Sequence, residues 1–474
     1  MKAEGRRQKA ESRMKRVLTS ALCLLPSAFM FLACSQKRDT RTVIEFWGLG
    51  REGEVVAEMI PDFERRNPGI KVVMQQMPWI AAHEKLLTAY VGDATPDVAQ
   101  MGNTWIPEFA TVGALDELQW PTADQRDFFP GIWATNVVGG KLYGIPWYVD
   151  TRVLFYRKDI LATVGYPLGP RTWSEWIDCM ERLQREKKSR YGILMPTNEH
   201  EHIEVLAMSN GSPFLKANGT RGAFREPPFR DAFAFYVSLF QRGFAPKVNN
   251  TQVANLYQQF AQGEFVMHIT GPWNVGEFRR RLPANMQDKW ATAPLPARDA
   301  TARTGISMAG GASLVIFRGS ARKAEARKFI EFLSEPAQQV RFYELCGDLP
   351  PRRSAWRSPA LANDPYFPAF RTQLERVAPF PPVPEWEQIA TALYEHGEIA
   401  VRGVMTTDAT LADLDRTSDR ILEKRRWVLE RRAGVPPARG GHPARRDGRG
   451  ARRTAAAGEP PALPRGASLS RSGE

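Results

Sequence analysis

Thirteen tryptophans are many for a chain of 474 residues, and several stand where short apolar runs end. Trp47 is followed by Gly48, Asn103 lies two residues before Trp105, Trp147 is followed by Tyr148, and Trp273 follows Gly271 and Pro272. Flat rings beside polar groups of fixed direction suit a polyhydroxylated ligand. Its C–H faces stack on the rings while its edge hydroxyls form hydrogen bonds. Gly310 and Gly311 would let backbone come close to such a ligand. Arg51 and Glu52 directly follow the first apolar run, and either reach the same place or lie in solvent. A ring near a strand end also packs readily into a core, so each of these aromatics carries two readings. Trp173, Trp176, Trp386 and Trp427 lie within helical patterns and read as core.

Other chemistries leave weaker marks. No C-x-x-C, H-E-x-x-H or EF-hand spacing occurs, so neither a metal nor a cofactor is expected. His200-Glu201-His202 is the only dense cluster of metal-ligand types, and H-x-H alone is a weak metal signal. Glu199 and His200 follow an apolar run and are lesser candidates for the ligand site. No G-x-S-x-G nucleophile signature appears. A glycosidase needs two carboxyl groups set across a bond. Carboxylates are common here, so an exported carbohydrate-active enzyme stands as the alternative reading.

The formal net charge of +13 is unevenly spread. Residues 1–33 carry about +5, residues 434–474 carry about +5, and everything between carries only about +3. A nearly neutral body does not suit tracking along phosphates, so nucleic acid is not an expected partner.

The elements that would position these residues alternate. Arg41 to Trp47 reads as a strand, 52–66 as a helix stopped by Asn67-Pro68-Gly69, and Ile70 to Gln75 as a second strand. A helix over 80–91 and a strand over 97–100 follow. Later strands are expected at 153–156, 192–195, 266–269 and 314–317. Helices are expected from Thr172, where Glu175 completes a capping box, over 321–333, and over 410–432. This alternation predicts an α/β chain with mainly parallel sheets flanked by helices. No solenoid-length repeat is present. After Ala433 the chain turns to Arg, Pro, Gly and Ala without hydrophobic periodicity, and 434–474 reads as a disordered tail.

The amino-terminal end has its own chemistry. Met14-Lys15-Arg16 precedes an apolar run from Val17 to Ala33, so 1–33 reads as a secretory signal, with Met14 a candidate start. Phe31-Leu32-Ala33-Cys34 resembles a bacterial lipobox, although that pattern prefers Leu where Phe31 stands. The resemblance implies a thioether-linked lipid on Cys34 and a membrane anchor. The reading without cleavage is a transmembrane anchor. Cys179 and Cys346 are left, either joined after export or both free.

An ordered set of segments resembles the family 1 extracellular solute-binding proteins, which deliver sugars to ABC importers. It comprises Pro61 to Val72, Ala94-Thr95-Pro96-Asp97-Val98, Leu142 to Trp147, Leu154 to Leu161, Gln262 to Met267, Gly271-Pro272-Trp273, Gly310-Gly311, and Leu349-Pro350-Pro351-Arg352. The resemblance implies a two-lobed periplasmic-binding-protein-like fold whose halves hinge around a ligand cleft. Its implied divisions are a lipidated linker at 34–41, a first lobe of 42–150 plus 298–334, and a second lobe of 151–297 plus 335–433. It implies a sugar or oligosaccharide ligand, the transmembrane subunits of an importer as partner, a lipid-anchored monomer in the periplasm or on the outer face of the cytoplasmic membrane, and no enzymatic activity. Arg352 then offers planar donors to hydroxyls, with Arg353 beside it as the alternative. Asp150 either accepts from a hydroxyl or stiffens the hinge. A receptor serving a sensor, or one taking a polyol phosphate, would use the same fold.

Overall fold

The computed structural model of the protein describes residues 40–432, so the export signal expected at 1–33, Cys34 and the tail expected over 434–474 lie outside the described residues. Its first strand, Thr42–Leu49, is built from β-branched and aromatic residues that suit a buried pleat. It pairs in parallel with Ile70–Met77 on one side and Val98–Gly102 on the other. Gly310–Ile316 runs antiparallel between Val98–Gly102 and Ile145–Asp150. The five-stranded order is therefore 70–77, 42–49, 98–102, 310–316, 145–150.

Val153–Arg157 opens a second sheet. Its order is Trp290–Ala293, Val153–Arg157, Phe265–Thr270, Tyr191–Leu194. In each sheet one strand opposes the rest: 310–316 in the first and 153–157 in the second. Both are strands that the chain enters by crossing from the other sheet. A strand entered at the facing edge must run away from it, whereas its neighbours run toward it.

Helices cover both sheets and bury their apolar faces there. Trp173–Arg185 shows why they form: Thr172 caps it through a bond from the Glu175 amide to Oγ1 at 3.2 Å. Trp173, Trp176, Cys179, Met180 and Leu183 form its buried stripe. The helix expected over 52–66 is two, Gly50–Val56 and Ile60–Arg66, because Pro61 starts a new first turn. The long helix expected over 410–432 is likewise two, Thr407–Ile421 and Glu423–Arg432. Trp427, expected in the core, is exposed. Among the described residues no helix is long and apolar enough to cross a membrane.

Three crossings join the lobes, and they are sewn together. The Arg152 amide donates to Ser307 Oγ at 3.0 Å, and that hydroxyl donates to the Arg152 carbonyl at 2.9 Å. The Val149 amide donates to the Leu349 carbonyl at 2.8 Å. These contacts shift two lobe boundaries from their expected places. Residues near 298–306 stay with the second lobe, where Ser209 Oγ donates to the Ile306 carbonyl at 3.0 Å. Helix Pro336–Cys346 packs on the first lobe, with Phe342 against Trp147 and Glu335 paired to Arg66 at 3.0 Å.

Candidate functional site

The parallel strands of each sheet end at the edge that faces the other lobe. Loops leaving those carboxyl ends line a cleft of about 450 Å³. It opens outward into a trough of about 810 Å³ that shares Glu52, Trp273 and Asp348 with it.

The wall from the first lobe is rigid and rich in acceptors. Glu52, on the helix after the first strand, accepts from Tyr148 Oη at 3.1 Å and from Trp79 Nε1 at 3.2 Å. Burial and the nearby Glu52 carboxylate raise the Tyr148 phenol well above its ordinary value, so it stays a donor to Glu52. Trp79 meets Trp105 edge to face at 5.5 Å, so two indoles border the cleft together. Asn103 lies between: its amide nitrogen donates to the Gly310 carbonyl at 3.2 Å, and its side-chain oxygen accepts from Ser313 at 2.9 Å. Gly311 sits at φ +110°, and a Cβ there would lie 2.3 Å from the Tyr148 carbonyl. Only glycine lets this strand close against Ile145–Asp150 beside the cleft. Asp348 enters from the third crossing. Burial, together with the Glu52 carboxylate, pushes it up to about 8.

The second-lobe wall is built on ion pairs. Arg152 binds Asp150 at 2.8 Å and Glu201 at 2.7 Å, and its guanidinium lies 4.7 Å from the Trp273 ring centroid. Burial raises Asp150 although Arg152 opposes it. For Glu201 burial also works upward, but Arg152 and then His200 prevail and hold it down at about 2. Trp273 is 43% exposed, unusual for so large a ring, and it lines the cleft. The indole folds back over residue 271, where a Cβ would come within 1.9 Å of it, so Gly271 is what lets the ring lie there. His200, Trp386 and Glu387 complete this wall.

The sequence candidates therefore divide. Glu52, Asn103, Trp105, Tyr148, Asp150, Trp273, Gly310 and Gly311 line the cleft. Trp147 does not. It is fully buried, 4.4 Å from Phe342 and 6.2 Å from Phe46 between ring centroids. Tyr148 and Asp150 line the cleft, whereas Trp147 is the extra residue of a bulge against Gly310–Ile316 and is turned into the core. Trp47 is core too, packed in the same cluster as Leu86 and Met101. Gly48 serves packing: a Cβ there would lie 2.7 Å from the Gly53 backbone. Arg51 is exposed, pairs with Glu54 at 2.8 Å, and borders only the outer trough. Arg352 is buried away from the cleft, bound to Asp127 at 2.8 Å and Asp124 at 2.9 Å, with Nη1 on the Ser334 carbonyl. Arg353 pairs with Glu375 at 2.7 Å.

Trp79, Asp348, Trp386 and Glu387 were missed by sequence reasoning. Trp79 follows the second strand directly after Pro78, so the same strand-end argument reaches it. Trp386 is only 2% exposed and reads correctly as core, yet it also borders the cleft. Asp348 follows Gly347 in a left-handed turn after a helix, a position without any compositional signal. Cys179 and Cys346 are both free thiols; Cys179 is buried in the second lobe and Cys346 borders the outer trough.

Comparison with known proteins adds an independent line. Residues 47–340 match the family described as Bacterial extracellular solute-binding protein. The structure is similar to that of the sugar-binding protein MalE from the phytopathogen Xanthomonas citri, with TM-score 0.80 and 48% identity over 82% of this chain and 99% of that one. The diacetylchitobiose-binding protein DasA of Streptomyces coelicolor is 27% identical over 279 residues, 58% of this chain and 64% of that protein. A maltotriose-binding protein of Pyrococcus abyssi is 22% identical over 347 residues, 70% of this chain and 71% of that protein.

Proposed function

The chain belongs to the bacterial extracellular solute-binding proteins, and from that premise we propose that it captures an uncharged sugar or oligosaccharide between its lobes and delivers it to the membrane subunits of an ABC importer. One observation carries the reading: an interlobe cleft with indoles Trp79, Trp105 and Trp273 around the carboxyl groups of Glu52, Asp150 and Asp348. Rings take the C–H faces of a sugar and carboxylates accept from its hydroxyls. The named relatives that bind sugars support the same class.

The charge balance argues for a neutral guest. Arg152 is committed to Asp150 and Glu201, and Arg352 lies elsewhere, so a polyol phosphate would face carboxylates. Ligand contacts with both walls would favour closure, because only differential affinity for the closed state shifts a hinge equilibrium. We read the protein as a binder, not an enzyme, on the strength of its family. We propose export with a lipid on Cys34, tethering a monomer at the cell envelope. Cys34→Ser then moves the protein from the membrane to the soluble fraction.

A thermal-shift screen of the full chain tests the main reading. The panel is glucose, maltose, maltotriose, diacetylchitobiose and glucose 6-phosphate. A neutral sugar that binds the native state raises the melting temperature by mass action. No shift with any sugar, or a shift with the phosphate alone, overturns the reading.

A further inference from the structure

We propose that His200 is the fixed hydrogen-bond donor of the second-lobe wall, held in that role by the buried carboxylate of Glu204. Its use by a ligand rests on the sugar-binding reading; its existence rests on geometry alone. His200 immediately precedes helix Glu201–Ser209, which places Glu204 one turn further on the same face. Glu204 is 0% exposed, inside a helix whose neighbouring residues Ile203 and Val205 belong to the apolar core. A carboxylate in such surroundings is costly unless a cation or donor meets it. His200 Nδ1 lies 2.9 Å from its Oε2, and among the described residues no other basic group pairs with Glu204.

The remaining charges around the ring are accounted for. Glu201 lies 4.0 Å from Nδ1 and is itself bound to Arg152. Glu387 reaches the ring's field from helix Trp386–Val401, which packs against the same helix. His202 points elsewhere, with Nε2 3.6 Å from Glu199. Burial works against a charged imidazole, but Glu204 above all, then Glu201 and Glu387, raise His200 to about 10. At neutral pH the ring is therefore the protonated partner, a cation beside the buried carboxylate. The 2.9 Å contact is an ion pair and not an aimed hydrogen bond, and the ring held as a cation beside Glu204 carries a hydrogen on Nε2. The ring lines the cleft, and among the described residues Nε2 has no protein acceptor.

This complements the opposite wall. Glu52 and Asp150 can only draw hydroxyl hydrogens when ionised. A hydroxyl donating to one of them still has lone pairs for an N–H across the cleft. A guest with several hydroxyls then joins the two walls, whereas a guest without an acceptor oxygen at His200 does not. His200 is thus a specificity residue and Glu204 a positioning residue.

The test uses the full chain labelled at histidine 13Cε1, with the His200 signal assigned by its loss in His200→Gln. The expected signal is still that of a protonated ring at a pH where an ordinary imidazole, pKa about 6.5, is neutral. In Glu204→Gln, which preserves size and removes the buried charge, that signal titrates at lower pH. Titration of His200 near the ordinary value in the wild type, or no change in Glu204→Gln, overturns the proposal. In the same preparations maltotriose, or whichever panel sugar binds most tightly, is expected to bind His200→Ala about tenfold or more weakly. Equal affinity overturns the role in binding. If no panel sugar binds the wild type, the sugar reading falls and the titration alone decides the His200–Glu204 pair.

Discussion

The two walls of the cleft are made differently. The first-lobe wall is set by strand edges and hydrogen bonds: Glu52 is fixed by Tyr148 and Trp79, and Asn103 by Gly310 and Ser313. The second-lobe wall is set by ion pairs behind the surface, with Arg152 under Trp273 and Glu204 under His200. Ring type alone does not decide whether an indole reaches the cleft; what packs behind it does. Trp147 and Trp273 are the same side chain near two strand ends, one fully buried and the other 43% exposed.

Arg152 is where that contrast breaks hardest. Arg152→Met leaves Asp150 and Glu201 buried without their cation, a loss of about 3–5 kcal/mol in stability. Chemical denaturation should show it, and an unchanged midpoint would mean that the second-lobe wall does not depend on this pair. Trp147→Ala opens a cavity beside Phe342 and Phe46 and should cost about 3–5 kcal/mol of stability. Its sugar affinity, measured on the fraction still folded, should stay at the wild-type value; a selective loss of affinity would return Trp147 to the cleft.

Trp273→Ala should do the reverse. It removes an exposed ring, so melting shifts little, while sugar affinity falls by about 1–3 kcal/mol. Asp348 tests the first-lobe wall through pH. Its native carboxyl holds its proton to about 8, whereas an unfolded Asp releases it near 3.9. Between those values the native state binds the extra proton, so the Asp348 contribution is fully present below about 4 and is lost as pH rises through about 8. Asp348→Asn should flatten the decline in stability over that window. A parallel decline in wild type and variant would place the proton elsewhere.

Much of this was legible in the chain. The strand ends at 47–52, 103–105, 148–150, 271–273 and 310–311 follow from composition and alternation, and most of them reach the cleft. What failed did so for definite reasons. Trp147 and Tyr148 are adjacent and both meet Phe342, and the bulge that sends only Tyr148 to the cleft arises from pairing with the distant strand 310–316. Arg352 carries the right chemistry, but Asp124 and Asp127 lie more than two hundred positions earlier and become its partners only through the fold. Asp348 comes to the cleft through a helix that crosses back to the first lobe, a path that no local pattern encodes.

The proposed sugar capture turns on the Trp273 indole, which lines the cleft. Calorimetric titration of the full chain and of Trp273→Ala with maltose, maltotriose and diacetylchitobiose tests it most directly. The expected result is saturable binding of at least one sugar by the wild type and a tenfold or greater loss in the variant, about 1.4 kcal/mol or more. Wild-type and variant isotherms that coincide, or no heat from any of the three, would contradict it.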